Sequence, residues 1–430
     1  MASESSRAVG APRLLVVNAR IDGGDGAPVD LLASDGRITA IAASGTIAAD
    51  GVTAADGATA VIDAGGGLVT PPFAEPHTHP DKVYSRDRIP ELGSPPPRNR
   101  EDRMQRQRDL KARFTRADVE ARSERFMRDC AIEGIGVIAG QADIDSVTGL
   151  VSVEGLLATR DRCREWMDLV VTAFPQEGLV ADRRAAELVA AALAAGADRV
   201  GGWPNNEPDD EARLEHLRIV FELAERFGAP IDINVDYFTD PTERLLEPLA
   251  EMTIAAGMQG RVNANHVGAL ETYDDDTAAR VVERVAEAGI SITVCPTNLA
   301  GTRPYRGVSR PLELLAAGAE VTIGIGNYED NWEYLGTIDP MERARFAWHA
   351  LPLAGRPGEG IDDAWRLVTD AARRAIGRPA TPLEVGERAD FVVLSAPDRV
   401  QALRNEAASR WHVRGGTVLA QRIVETEPVF

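Results

Sequence analysis

The chain has 430 residues, of which 44% are hydrophobic and 27% are charged. This composition is typical of a globular protein with a large core and about two domains, and it argues against disorder. The formal charge of −20 argues against electrostatic binding to nucleic acid or to an anionic membrane surface.

Nothing in the sequence predicts a secreted or membrane protein. Residues 1–13 lack an apolar signal-peptide run, and no later segment approaches the roughly 18 apolar residues of a membrane span. The three cysteines, Cys130, Cys163 and Cys295, have no metal-binding spacing and suit a reducing compartment. We therefore expect a cytoplasmic protein.

Both ends of the chain predict strands joined by tight turns. Short apolar runs at Leu14–Val17, Asp30–Ala33 and Arg37–Ile41 are separated by turn residues and predict a small antiparallel sheet. The runs at 383–394 and 411–418 have the same character. We expect residues 1–64 and 379–430 to form one small, discontinuous β-sandwich domain.

From Gly65 onward, apolar runs alternate with helical patterns, as in repeated βα units. Apolar residues recur every three to four positions in the expected helices, which are 183–195, 210–227, 241–256 and 277–288. Eight strands with crossover helices over residues 65–378 predict a closed (β/α)8 TIM barrel, with an open doubly wound sheet as the competing architecture. The expected strands are Leu68–Ala74, Gly136–Asp143, Leu169–Phe174, Arg199–Trp203, Ile231–Asp236, Arg261–Asn265, Ile290–Cys295 and Val321–Ile325.

The charged segment Pro95–Arg122 follows the first of these strands. Its simplest interpretation is a solvated loop and helix. Its position would also suit a lid over the mouth of a barrel.

The first expected strand runs into His77 and His79, which are two residues apart. A strand repeats every two residues, so both imidazoles lie on one face. Imidazole is the commonest protein ligand for zinc and related metals, and this pair would supply half of a tetrahedral site. An isolated pair of this kind is more often a polar strand end whose histidines bond only to neighbours.

Polar residues also lie at the ends of all the remaining expected strands. In a barrel these side chains converge on one pocket, where buried polar groups need either a ligand or a structural network as partners. The set comprises His77, His79, Gln141, Asp143, Gln176, Glu177, Asn205, Asn206, Asn234, Asp236, Asn265, His266, Thr297, Asn298, Asn327, Tyr328, Glu329 and Asp330.

Five ordered segments carry a family resemblance: Pro71–Asp81, Ala173–Gly178, Ile231–Asp236, Asn265–His266 and Val385–Val393. Together they resemble the amidohydrolase superfamily, and most closely its cytosine deaminase and N-isopropylammelide isopropylamidohydrolase branch. The resemblance runs from about residue 13 to about residue 420.

The resemblance implies a site with one divalent metal, zinc or iron. In the family the ligands are a histidine pair after strand one, a histidine after strand five and an aspartate after strand eight. A glutamate near strand five moves protons, a histidine after strand six contacts the activated water, and a glutamine after strand three holds the heterocycle. Carried over to this chain, the matching residues are His77, His79, His266 and Gln176.

Three family positions do not match. Asn234 replaces the strand-five histidine, and Tyr237 replaces the catalytic glutamate. Tyr328 falls on the metal aspartate after strand eight, although a shift of one residue would offer Glu329. Because neutral amides and phenols are poor metal ligands, we expect weak metal binding unless other groups are recruited.

Three functions remain open. A remodelled hydrolase would cut a carbon–nitrogen bond in a small heterocycle or cyclic amide, with metal on His77 and His79. A metal-free barrel would instead use the same pocket for acid/base chemistry, and a third possibility is a non-catalytic binding protein. The expected partner is a small molecule, and the family resemblance makes a homo-oligomer possible. The expected catalytic residues are His266, Asp236 and Glu329, and the expected substrate contacts are Gln176, Asn234, Tyr237, Asn205, Tyr328 and Asp330.

Overall fold

The computed structural model describes residues 13–47, 59–296, 308–405, 410–425 and 427. The chain forms two compact units. One unit takes the residues up to Pro72, Ala131–Gly134 and those from Ala380 onward, and the other takes Phe73–Cys130 and Ile135–Pro379. The domain boundaries expected after residues 64 and 378 stay predictions.

The strands are β1 (Arg13–Ile21), β2 (Val29–Ser34), β3 (Arg37–Ala43), β4 (Thr59–Asp63), β5 (Leu68–Thr70), β6 (Phe73–Thr78), β7 (Ile135–Asp143), β8 (Asp168–Phe174), β9 (Arg199–Gly202), β10 (Ile231–Val235), β11 (Val262–His266), β12 (Ser291–Val294), β13 (Val321–Ile323), β14 (Phe391–Leu394), β15 (Arg410–Arg414) and β16 (Thr417–Arg422). The helices are α1 (Arg100–Lys111), α2 (Arg116–Ile132), α3 (Val151–Cys163), α4 (Ala185–Ala194), α5 (Asp210–Phe227), α6 (Leu246–Ala255), α7 (Asp275–Glu287), α8 (Pro311–Ala316), α9 (Pro340–Ala350), α10 (Ile361–Arg366), α11 (Asp370–Ala375) and α12 (Arg399–Asn405).

The larger unit is the predicted (β/α)8 barrel. Strands β6 to β13 pair in chain order, each parallel to the next. A parallel bridge between Thr78 and Gly326 closes the ring, where the Gly326 N–H donates to the His77 carbonyl at 2.8 Å. This closure excludes the open sheet. It also brings the carboxyl ends of all eight strands to one mouth.

The first barrel strand differs from its prediction. The sequence predicted one strand over Leu68–Ala74, whereas Leu68–Thr70 forms β5 of the smaller unit and the barrel begins with β6 at Phe73. Pro71 and Pro72 separate the two strands because neither proline has an N–H to donate to a ladder.

Helix α5 has the predicted bounds, since Asp209 caps its first turn and Gly228 ends it in the left-handed conformation. The helix expected over 241–256 begins later, at Leu246. The N–H groups of Leu245 and Leu246 donate to the Asp236 carboxylate, which fixes where the helix begins. No helix in the described ranges is long and apolar enough to cross a membrane.

The smaller unit is the predicted β domain drawn from both ends of the chain. Strand β1 joins two parts of one eight-stranded sheet. Its first five residues pair with β4, and Arg20 and Ile21 pair with β5. These two pairings are parallel, whereas β2, β3, β14, β15 and β16 pair antiparallel. Buried residues from the strands of both chain ends form one apolar core, which includes Leu31, Ile62, Phe391 and Val413.

Candidate active site

Two histidines and a cysteine meet at the ends of three barrel strands. His77 lies near the end of β6, His266 ends β11, and Cys295 directly follows β12. Their ligand atoms all lie within 4.8 Å of one another, and the three side chains are buried. The rings of His77 and His266 are 5.0 Å apart and nearly perpendicular. We call these three residues the histidine cluster.

Burial keeps two members of the histidine cluster neutral at physiological pH. It lowers the pKa of His266 well below its ordinary value, and the neighbouring His77 lowers it further. Burial likewise raises the pKa of the Cys295 thiol, and the Glu75 carboxylate adds to that rise. The site therefore holds a neutral imidazole beside a neutral thiol.

Both histidines of the cluster have fixed backbones. Glu75 accepts the N–H groups of His77 and Ile325, each at 2.9 Å, and forms a buried ion pair with Arg343 at 2.6 Å. His266 has a φ of 71°, and the Ser309 hydroxyl donates to its carbonyl at 2.5 Å. A positive φ is rare for residues other than glycine, and such strain is concentrated at functional sites.

His79 has a different neighbour from His77. The Lys82 ammonium lies 3.3 Å from His79 Nδ1 and 2.7 Å from the Asp143 carboxylate. An ammonium group only donates hydrogen bonds, so Nδ1 accepts and Nε2 carries the imidazole proton. His79 also packs against the Phe174 ring at 5.4 Å between centroids.

Lys82 is part of a buried ion network. Lys111 lies 2.5 Å from Asp145, 2.7 Å from Glu177 and 3.7 Å from Asp143. Burial alone would lower the pKa of Lys111, but these carboxylates outweigh it and raise the pKa, so Lys111 stays charged. We call the set of Lys82, Lys111, Asp143, Asp145 and Glu177 the lysine network.

Helix α1 covers the barrel mouth, so the simpler prediction of a solvated segment is wrong for this helix. Its Arg106, Gln107 and Lys111 are buried, and its arginines bond to loops that follow other strands. Arg106 donates to Asn331 at 2.6 Å, and Arg100 donates to the Asn205 carbonyl at 3.3 Å. These buried and half-buried cationic residues find partners on the barrel rather than in water, which matches the alternative prediction of a lid.

Six apolar and aromatic side chains pack together beside the histidines. Tyr237 lies 4.3 Å from His266 and 5.0 Å from Trp203 between ring centroids. The Arg100 guanidinium from α1 lies over the Trp203 ring at 5.4 Å. This aromatic cluster consists of Met104, Phe174, Trp203, Tyr237, Phe238 and Trp332.

Gln176 is buried at the same mouth. Lys111 lies 3.4 Å from its Oε1, and Asn206 donates to its backbone carbonyl at 2.5 Å. The loop that follows is held by Glu207, which accepts three successive backbone N–H groups and contacts His216 at 2.7 Å. Asn205 is buried beside this loop.

Three other predicted site residues bond to the protein at strand ends. Asn234 Oδ1 accepts from Gln141 at 3.4 Å. The Asp236 carboxylate accepts from Leu245, Leu246 and the Tyr273 hydroxyl, so it supports the start of α6. Asp330 accepts from Asn327, Trp332 and Glu333 within its own loop.

The predicted residues after strand eight do not join the histidine cluster. The Tyr328 ring packs against Tyr84 and Phe126 at 5.6 and 5.9 Å. Glu329 is half-buried with a φ of 44°, and its carbonyl accepts the Arg86 N–H. Thr297 and Asn298, also expected at a strand end, lie outside the described residues.

The comparisons with known proteins identify the family of this chain. The model of the amidohydrolase family matches residues 100–424. The chain belongs to the amidohydrolase family. It is 30% identical over 405 residues to a pterin deaminase from Rhizobium rhizogenes, covering 91% of this chain and 87% of that protein.

Two further relatives of this amidohydrolase act on other heterocycles according to their names. The chain is 25% identical to an N-isopropylammelide isopropyl amidohydrolase from a Pseudomonas species, and the match covers 84% of this chain and 88% of that protein. A crystal structure of 5-methylcytosine deaminase from Klebsiella pneumoniae with 5-fluorocytosine superimposes with a TM-score of 0.84 at 28% identity, covering 96% of this chain and 99% of that one.

The metal ligands implied by the family resemblance do not fit this amidohydrolase. Asn234 stands in place of an imidazole, Tyr328 packs away from the histidines, and Lys82 occupies His79 Nδ1. Within the described residues, the group whose ligand atoms converge is the histidine cluster. The one divalent metal implied by the resemblance thus lacks its expected ligand set.

Sequence reasoning missed Cys295 and Lys111 as parts of this site. Cys295 could have been found, because it ends a predicted strand next to the one that ends in His266. Lys111 lies in the segment Pro95–Arg122, whose alternative prediction was a lid, but the sequence did not single it out from the other charged residues there.

Proposed function

We propose that this protein hydrolyses a carbon–nitrogen bond of a planar nitrogen heterocycle and releases ammonia or an amine. The similar proteins support the class of reaction, since their names describe deaminases and an amidohydrolase of pterin, 5-methylcytosine and ammelide compounds. The matched residues His266 and Gln176 lie at the barrel mouth, where TIM-barrel enzymes bind their substrates.

One observation carries the choice of a planar ring. The aromatic cluster is continuous with the histidines, because Tyr237 packs on His266 and Phe174 packs on His79. Aromatic side chains stack on flat rings and supply apolar contact without excluding polar groups at the ring edge. A heterocycle that inserts between these rings brings its edge to polar strand ends.

Gln176 is suited to orient that ring. Lys111 donates to its Oε1, which leaves the Nε2 group as a donor toward the ligand. We therefore expect Gln176 to contact a ring nitrogen or a carbonyl oxygen. In this proposal Asn205 and Tyr237 complete the contacts, while Asp236 and Asp330 hold the surrounding loops.

In the reaction, a water oxygen bonds to the ring carbon, and the carbon–nitrogen bond breaks with its electron pair on nitrogen. One proton from the water ends on the leaving nitrogen, and the other stays on the product. We expect His79 Nε2–H to donate its proton to the leaving nitrogen and to take up the proton that the water oxygen loses, while the Lys82 ammonium stays charged and hydrogen-bonded to Nδ1. Asp143 balances the charge of Lys82 during this transfer.

A panel of pterin, cytosine and N-alkylated triazine compounds tests the proposal by release of ammonia or amine. We expect turnover of at least one compound, and we expect Gln176→Leu to lower kcat/KM about tenfold or more because a ring-edge hydrogen bond is lost. His349→Gln, on the exposed face of α9, is the matched control and should leave kcat/KM unchanged.

Tryptophan fluorescence measures binding in the same experiments, because Trp203 and Trp332 belong to the aromatic cluster. Binding across the panel with no turnover would contradict the hydrolase and indicate a binding protein. Turnover that is indifferent to Gln176→Leu would contradict the proposed orientation.

A further inference from the structure

We propose that His77, His266 and Cys295 bind one divalent cation of the zinc class through two imidazoles and a thiolate. This donor set differs from the one implied by the family resemblance, which contains neither His266 nor Cys295 as a ligand. The inference deepens the proposed function, on which it rests only for the identity of the pocket, and its test needs no substrate.

The geometry of the three side chains suits a small ion. Their ligand atoms already lie within 4.8 Å of one another. A tetrahedral zinc site, with Zn–N bonds of about 2.0 Å and Zn–S bonds of about 2.3 Å, needs separations of roughly 3.4 to 3.7 Å. Movements of about 1 Å, within the reach of side-chain torsions, close that difference. Three protein ligands leave a fourth position open, as in catalytic zinc sites.

The chemistry of the donors selects the class of metal. Thiolate and imidazole favour zinc, copper and cobalt, whereas magnesium and calcium prefer oxygen ligands. The Cys295 thiol must lose its proton to solvent when the metal–sulfur bond forms, so binding releases one proton for each ion.

The surrounding backbone leaves the His77 ligand little freedom. A Cβ atom at Gly324 would lie 2.7 Å from the His77 carbonyl and 2.9 Å from its Cβ, so only glycine permits this close approach. Glu75 fixes the His77 N–H, and Ser309 fixes the His266 carbonyl. Ligands held in this way lose little freedom when an ion binds.

Cobalt(II) is the probe that tests the donor set. Full-length protein is stripped with a chelator, titrated with cobalt(II), and followed by absorption spectroscopy and elemental analysis. We expect one cobalt for each chain, with visible bands of a four-coordinate ion and a near-ultraviolet sulfur-to-cobalt charge-transfer band. Cobalt bound without the sulfur band would overturn the proposal before any variant is made.

Variants assign the sulfur and the imidazoles. Cys295→Ser should abolish the charge-transfer band, whereas Cys163→Ser, which removes another buried thiol, should keep it. His266→Gln and His77→Gln should each weaken cobalt binding more than about a hundredfold, which exceeds the usual effect of losing an outer-shell partner. His79→Gln should bind cobalt with its sulfur band intact.

The opposite pattern refutes the proposal. If His79→Gln loses cobalt while Cys295→Ser keeps it, the ion is bound by a family-like set instead. Circular dichroism of each variant separates lost binding from lost folding, and the spectrum of the unsubstituted protein stands whatever the variants do. Because no substrate is present, a failure here leaves the panel of heterocycles as an independent test of the proposed function.

Discussion

Buried polar groups have different kinds of partner on the two sides of the barrel mouth. On the side of β6 to β8, helix α1 inserts Lys111 among carboxylates, and the lysine network pairs positive with negative charge. On the side of β10 to β12, the residues are amides, a neutral imidazole and a thiol. The charges of the lysine network are paired within the protein, whereas the second side has donors that a cation would stabilise.

A third set of polar groups lies deeper on the second side. Asp232 Oδ1 accepts from Asn263 at 2.9 Å and from Asn265 at 2.8 Å, and its Oδ2 accepts from Thr172 at 3.0 Å. We call this the amide network. The barrel thus contains polar side chains whose hydrogen bonds are satisfied within the protein, and these are distinct from the histidine cluster.

The largest expected effect comes from breaking the lysine network. Lys111→Met leaves the buried Asp145 carboxylate without its cation, while Glu177 keeps its pair with Arg108. We therefore expect the free energy of unfolding to fall by about 3 to 5 kcal/mol in urea denaturation. Arg98→Met, which removes an exposed pair with Asp102, should give no measurable change. Equal effects of the two substitutions would show that the lysine network is not the rigid half of the site.

A second, smaller effect is the pH dependence of stability that we expect from a buried carboxyl group without a salt bridge. Glu243 is buried after β10 and forms no salt bridge among the described residues, and burial raises its pKa from 4.5 to about 8. The unfolded chain ionises this carboxyl above its ordinary pKa, but the folded chain does so only near pH 8. Its contribution to stability is therefore fully present at low pH and is lost as the pH rises toward 8.

Glu243→Gln removes that pH dependence. We expect the unfolding free energy of the variant, relative to the unsubstituted protein, to rise by about 3 kcal/mol between pH 5 and pH 8. Urea denaturation at both pH values measures the change, and Glu215→Gln on the exposed face of α5 serves as the control. A constant difference between the two pH values would show that Glu243 is not desolvated.

The architecture was predictable because each strand and turn is encoded locally. The barrel strands are short apolar runs with polar ends, and residues such as Asp209 and Gly228 mark the helix ends. Pro71-Pro72 divides a run whose hydrophobicity alone predicts one strand. The prediction of one strand over Leu68–Ala74 was wrong because it weighed the apolar residues above the two prolines, which have no N–H groups to donate to a sheet.

The candidate site was predictable only where a residue type and a strand end coincide. His77, His266 and Gln176 were found in this way. Asp236 was expected at the end of the strand Ile231–Asp236, but β10 ends at Val235 and Asp236 has a φ of 47°. That turn sends its carboxylate to α6. Glu329 leaves the regular pattern in the same way, with a φ of 44°.

The smallest expected effect tests whether the amide network and the histidine cluster are separate. In Asp232→Asn, the new amide oxygen can keep the contacts with Asn263 and Asn265, while its NH2 group meets the Thr172 hydroxyl, which must turn from donor to acceptor. We therefore expect a loss of only about 1 to 2 kcal/mol in unfolding free energy, since charge is removed but every partner remains.

Asp209→Asn is the matched control for that substitution, because asparagine caps a helix as well as aspartate does. Cobalt titration of Asp232→Asn then gives the deciding measurement. We expect weaker binding with the sulfur-to-cobalt band retained, since Asp232 acts on Cys295 through its charge rather than as a ligand. Loss of the band would mean that the amide network holds the metal donors in place, and the division between structural and ligand-binding polarity in this barrel would have to be abandoned.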